Sequence, residues 1–99
     1  MFVTTVPEAM SGAAAGLTGI GASVLAGNAA AAEPIMGVKP PAAELTSVLL
    51  AGAFGTHGGM FQVAGAAGSL VHEAFAATLG ISSASYAATE GFNTIAQAI

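Results

Sequence analysis

The sequence predicts an all-α fold: an antiparallel two-helix hairpin that needs a partner molecule to complete its packing. Three observations carry this expectation. Two Ala-rich, proline-free segments flank a short region that holds Pro34, Pro40 and Pro41. Larger apolar residues recur in both segments at helical spacing. The second segment carries two apolar stripes, and the chain itself offers it only one neighbour.

The first helix is expected over about residues 7–33. Thr5-x-x-Glu8 fits a capping box, in which the Thr hydroxyl accepts from the Glu8 N–H and the carboxylate reaches back. Pro7 then falls in the first turn, where no hydrogen-bond donor is missed. Met10, Leu17, Ile20 and Val24 follow as a heptad-like stripe, with Ala13 and Ala31 in phase. Pro34 ends or kinks the helix, because its ring clashes with the preceding turn. Residues 34–41 form the connecting loop.

The second helix is expected over about residues 42–80, with Glu44 in its first turn favoured by the helix dipole. Leu45, Leu49, Met60, Val63 and Leu70 form one stripe; Leu50, Phe54, Phe61, Val71 and Phe75 form the other. The second neighbour must then come from another molecule. The simpler alternative is one broad face that wraps over the first helix. Met10, Leu17, Ile20, Val24, Leu50, Phe54, Phe61, Val71 and Phe75 are the candidate partner interface. Residues 81–99 form the tail. Serines at Ser82, Ser83 and Ser85 suggest fraying or a loose end, while Phe92, Ile95 and Ile99 would suit a continued helix or a docked segment, and the sequence does not decide between them. Residues 1–99 make a single domain.

Glycine strengthens the case for a partner. Eleven glycines lie in the interiors of the two expected helices, Gly80 at the end of the second left aside. Each costs about 0.8–1.0 kcal/mol relative to Ala, so together they approach ~10 kcal/mol, the whole stability of a small domain. The isolated chain is therefore expected to fold poorly and to gain structure on binding.

Composition excludes several classes. One Lys stands against five Glu, for a formal net charge of −4, so a nucleic-acid partner is excluded and an anionic membrane surface is disfavoured. No cysteine is present for disulfides or thiolate metal sites. His72-Glu73 begins like a zinc-protease motif, but Ala76 stands where the second His is needed. His57 and His72 are too far apart on one helix to share a metal. Gly52, Gly55, Gly58 and Gly59 follow no strand and lack the Gly-Lys-Ser/Thr ending of a phosphate loop. No enzyme, cofactor or metal is expected. The N-terminus has neither the basic region nor the apolar core of a secretory signal peptide. Residues 9–32 and 45–72 are long enough to cross a bilayer, yet they are filled with Ala, Gly, Ser and Thr.

Several motifs join in order along the chain. Pro7-Glu8 stands near the start. Gly37-Val38-Lys39-Pro40-Pro41-Ala42-Ala43-Glu44 fills the loop, and Phe54-x-x-His57-Gly58-x-x-Phe61-Gln62 lies mid-helix. His72-Glu73-x-Phe75-x-x-x-Leu79 and Ser83-x-Ser85-Tyr86-Ala87-Ala88-Thr89-Glu90 follow. Over essentially its whole length the chain resembles the mycobacterial PE family. The resemblance implies a short member that pairs with a PPE-family protein in an elongated four-helix bundle. It implies export of the folded pair by a type VII (ESX) secretion system, without a Sec signal peptide, from the cytoplasm to the cell surface or beyond. Tyr86 and Glu90 would be the export signal, read by the secretion ATPase or translocon. An EspG-type chaperone would reach this chain through the PPE protein. The alternative is a secreted PE/PPE pair inserted in the mycobacterial outer membrane for small-solute uptake.

Overall fold

The structure, a computed structural model, describes residues 3–99. Among them are two helices, α1 (Pro7–Met36, 30 residues) and α2 (Leu45–Ala98, 54 residues), and no strand. The all-α class expected from the sequence is the class found.

The helix ends differ from expectation, and each difference has a local cause. The Val6 carbonyl accepts the first bonds of α1, from Ala9 at 3.1 Å and Met10 at 3.2 Å, so Val6 caps the helix. No bond joins Thr5 to Glu8, and the expected capping box is absent. A residue before proline is held in an extended conformation. Pro7 therefore imposes the non-helical cap geometry on Val6 and leaves Thr5 one position too far out. Glu8 keeps a place in the first turn, favoured by the dipole.

Pro34 lies inside α1 rather than at its end. It forfeits one bond close to the terminus, and the ladder resumes with Gly37 N–H donating to the Glu33 carbonyl at 2.8 Å. α2 starts at Leu45, not near Pro41. Glu44 is its cap: its carbonyl accepts from Val48 at 3.1 Å, and its carboxylate accepts from the Ser47 hydroxyl at 2.9 Å. The tail is helical through Ala98. Residues 81–98 contain no proline and one glycine, and the Thr89 and Thr94 hydroxyls donate to carbonyls four residues back.

The chain divides into two compact units. The terminal unit joins the chain through Gly21 with Val71–Ile99; the middle unit is Ala22–Leu70. Each pairs part of α1 with part of α2, antiparallel. In the terminal unit Ser83 meets Pro7, Gly80 faces Ala14 and His72 meets Leu17. In the middle unit Gln62 meets Asn28, Gly58 meets Ile35 and Gly55 meets Met36.

Small residues make these seams. Buried or half-buried positions of α2 step by fours and threes, with Ser47, Ala51, Gly55, Gly58, Gln62, Gly65 and Ser69 in the middle unit. His72, Ala76, Leu79 and Ser83 continue the spacing in the terminal unit. This is the heptad rhythm of a helix seam, occupied mainly by Ala, Gly and Ser. Among the described residues, Ala51 and Ala76 are the buried apolar ones, and no large side chain is fully buried.

Candidate functional site

Most large apolar side chains point away from these seams. In the middle unit both expected α2 stripes are exposed, including Leu45, Leu49, Met60, Val63 and Leu70. Leu50, Phe54 and Phe61 are also exposed, with Phe54 at 56% and Phe61 at 51%. Val24 on α1 is half exposed. The terminal unit exposes Ile20, Val71 and Phe75. Met10 and Leu17 behave differently from the rest of the candidate interface. They are half-buried on the α1 face turned to α2, where Pro7, Ala14 and Gly21 also lie.

In the middle unit the exposed residues form a groove of about 510 Å³. Ala31, Pro34, Ile35 and Val38 line one side; Phe54, His57, Gly58 and Phe61 line the other. Gly58 lets the two sides approach, because a Cβ there would collide with the Ile35 carbonyl and lie 3.2 Å from the Ile35 Cβ. A second groove of about 350 Å³ lies between Leu50, Ala53, Phe54 and His57. Phe54 and His57 are thus a ridge shared by two apolar hollows, the relief a packing helix requires. The seam below is pinned by Gln62 Nε2, which donates to the Asn28 carbonyl at 2.9 Å.

The terminal unit holds a more polar arrangement. The His72 Nε2 lies 2.5 Å from the Leu17 carbonyl. Gly21 makes room for that ring, since an added Cβ would stand 2.8 Å from His72 Cδ2. The buried Ser83 hydroxyl donates to the Pro7 carbonyl at 2.6 Å. Thr5 Oγ1 donates to Glu90 Oε1 at 3.5 Å. Val3, Thr4, Thr5, Pro7 and Glu8 share a groove of about 460 Å³ with Ala87 and Glu90. Tyr86 is 45% exposed, four residues before Glu90 on the same helix, so the two lie one turn apart.

Sequence reasoning missed the seam itself. Its signal was present in the alternating spacing of Ala, Gly and Ser on α2, which a search for large apolar residues passes over. It also missed Ser83, read as part of a loose end. Among the described residues no three His, Cys, Asp or Glu side chains converge as a metal site.

A model of the family described as "PE family" matches residues 3–93. The chain is 47% identical over 95 residues to PE family protein PE13 of Mycobacterium tuberculosis (strain ATCC 25618 / H37Rv), with 96% of each chain covered. It is 42% identical over 97 residues to PE family protein PE8 of the same strain, covering 98% of this chain and 35% of PE8. Against PE-PGRS family protein PE_PGRS11 it is 43% identical over 89 residues, which cover 90% of this chain and 15% of that one. The chain therefore spans nearly all of the first relative and about a third or less of the other two. Matched by the family model over most of its length and by PE13 over nearly all of it, the chain belongs to the PE family.

Proposed function

We propose that this chain is a non-enzymatic binding module that pairs with a PPE-family protein and carries the export signal of the pair. One observation carries the reading: the hairpin closes on small residues and leaves its large apolar side chains outside. Each unit leaves more apolar side chains exposed than a lone folded domain ordinarily carries in one patch. A second apolar surface over the Phe54 and His57 ridge relieves that excess. In this reading two helices of the PPE protein complete a four-helix bundle over Ile20, Val24, Leu50, Phe54, Phe61, Val71 and Phe75. Met10 and Leu17 contribute through their uncovered halves. Tyr86 and Glu90 are read by the type VII secretion ATPase or translocon, and an EspG-type chaperone holds the PPE partner. The pair ends at the cell surface or outside the cell.

Co-expression with a PPE protein followed by size-exclusion chromatography tests the pairing. The two chains should elute together. Phe54→Asp or Phe61→Asp should abolish co-elution, because an unpaired charge would enter an apolar contact. Unchanged co-elution of both variants rejects the interface. Tyr86→Ala should block export and leave the pair intact.

A second reading, insertion of the exported pair in the outer membrane for small-solute uptake, draws on one feature. α1 is long and apolar enough to cross a bilayer. Flotation of the purified pair with liposomes favours this reading; a pair that stays in the dense fraction removes it.

A further inference from the structure

The N-terminal segment and the stretch of α2 from Ser83 to Glu90 meet within the terminal unit, joined by two hydrogen bonds and a shared groove. Ser83, only 5% exposed, donates its hydroxyl to the Pro7 carbonyl at 2.6 Å. Thr5 Oγ1 donates to Glu90 Oε1 at 3.5 Å. Thr5 and Glu8 line the same groove as Ala87 and Glu90. The direction of the segment is fixed at its helical end. Pro7 begins α1, and Val6 before it is held extended. Thr5 then projects from a short extended piece anchored one residue beyond the helix cap. A carboxylate on an exposed helical turn otherwise samples several rotamers. A bond accepted from Thr5 selects among them.

We infer that residues 3–8 belong to the export signal. Thr5 and Ser83 are positioning residues: Ser83 ties the signal-bearing turn to the start of α1, and Thr5 orients the Glu90 carboxylate. The recognised surface is then a two-segment patch, not the Tyr86-x-x-x-Glu90 stretch alone. The inference rests on the reading of Tyr86 and Glu90 as the signal, and the experiment separates the two.

The pair is expressed in a mycobacterial host, and its secreted fraction is measured beside co-purification from the cells. Thr5→Val keeps the side-chain shape and removes the donor. It should lower the secreted fraction about twofold, the factor for a long, exposed hydrogen bond at the low end of the usual range, with co-purification unchanged. Thr5→Ser, which keeps the hydroxyl, should restore export to the parental level. Thr78→Val, which removes a hydroxyl bonded only to its own helix at the Ala74 carbonyl, should export normally. If Thr5→Val is exported at the parental level while Tyr86→Ala stays in the cells, the composite signal is overturned and the signal reading stands. If Tyr86→Ala is itself exported normally, the signal reading falls and takes this inference with it. If Thr5→Val no longer co-purifies with its partner, Thr5 acts in pairing and the positioning role is rejected.

Discussion

The terminal unit joins its helices through side-chain donors aimed at backbone carbonyls, whereas the middle unit joins them largely where side chains are missing. On one side stand Ser83 against Pro7 and His72 against Leu17. On the other stand Gly58 against the Ile35 carbonyl, and Gly55, whose added Cβ would lie 2.7 Å from the Met36 carbonyl oxygen. Gln62 against Asn28 is the middle unit's polar pin, and its neighbour Gly65 would bring a Cβ within 2.9 Å of the Asn28 amide nitrogen. The two histidines of α2 show the same division. His72 is engaged with a carbonyl of its own hairpin, while His57 stands on the exposed ridge between two grooves. Small residues thus serve two ends: they admit a backbone in the middle unit and a ring at Gly21 in the terminal unit. The middle unit should be vulnerable to added atoms and the terminal unit to removed donors.

Gly58→Ala breaks the comparison hardest. The new methyl would meet the backbone of Ile35, including its carbonyl carbon at 2.7 Å, and backbone cannot swing aside as a side chain can. Overpacking costs about 1–3 kcal/mol, offset by ~0.8–1 kcal/mol of gained helix propensity. Because the clash is with backbone the upper end applies, and a net loss of about 2 kcal/mol is expected in thermal melts of the co-purified pair followed by circular dichroism. Pairing should weaken as well, since Gly58 and Ile35 both line the larger groove. An unchanged melt would mean that the close approach of the two helices is not required.

Ser83→Ala probes the other unit with the opposite operation, a donor removed and nothing added. Ser83 is 5% exposed, and its bond to Pro7 spans 76 residues of chain. The Pro7 carbonyl is the acceptor that loses its donor, so the variant should lose about 1 kcal/mol in the same melts. Ser83→Thr keeps a hydroxyl and should recover part of it. If Ser83→Ala melts like the parent, the bond to Pro7 adds nothing to the terminal unit and the contrast is left to His72 against Leu17.

The sequence made the helices legible and hid how they meet. Ala-rich segments on either side of Pro34, Pro40 and Pro41 announce two helices, and the motifs from Pro7-Glu8 to Tyr86-x-x-x-Glu90 announce the family. The exposed stripe through Phe54, Phe61 and Phe75 was also readable, because two apolar faces on one helix exceed what one neighbour covers. The seam was not. Its residues carry little hydrophobic signal, and glycines such as Gly55 and Gly58 look like helix defects until the opposing carbonyl is in view. The cap failed for a different reason. Thr5-x-x-Glu8 satisfies a local pattern, but Pro7 constrains Val6 more strongly, and Thr5 is left to a contact 85 residues away. Such a partner cannot be read from neighbouring residues.

Gly52 sharpens the comparison with the smallest expected effect and the opposite sign. It lies six residues before Gly58 on α2, and a Cβ added there meets nothing within 4 Å. Gly52→Ala should therefore raise the helicity of the purified chain, in keeping with the propensity difference of about 0.8–1 kcal/mol alone. Seven other glycines share that open surrounding: Gly12, Gly16, Gly19, Gly27, Gly59, Gly68 and Gly91. None of them is required by the chain's own packing. If Gly52→Ala raises the helicity of the chain but weakens co-elution with the PPE protein, the close approach that the missing methyl allows is needed by the partner. A gain in both would make Gly52 a neutral tolerance of the sequence, and would confine the need for glycine to positions such as Gly58, where the opposing backbone already lies in the way.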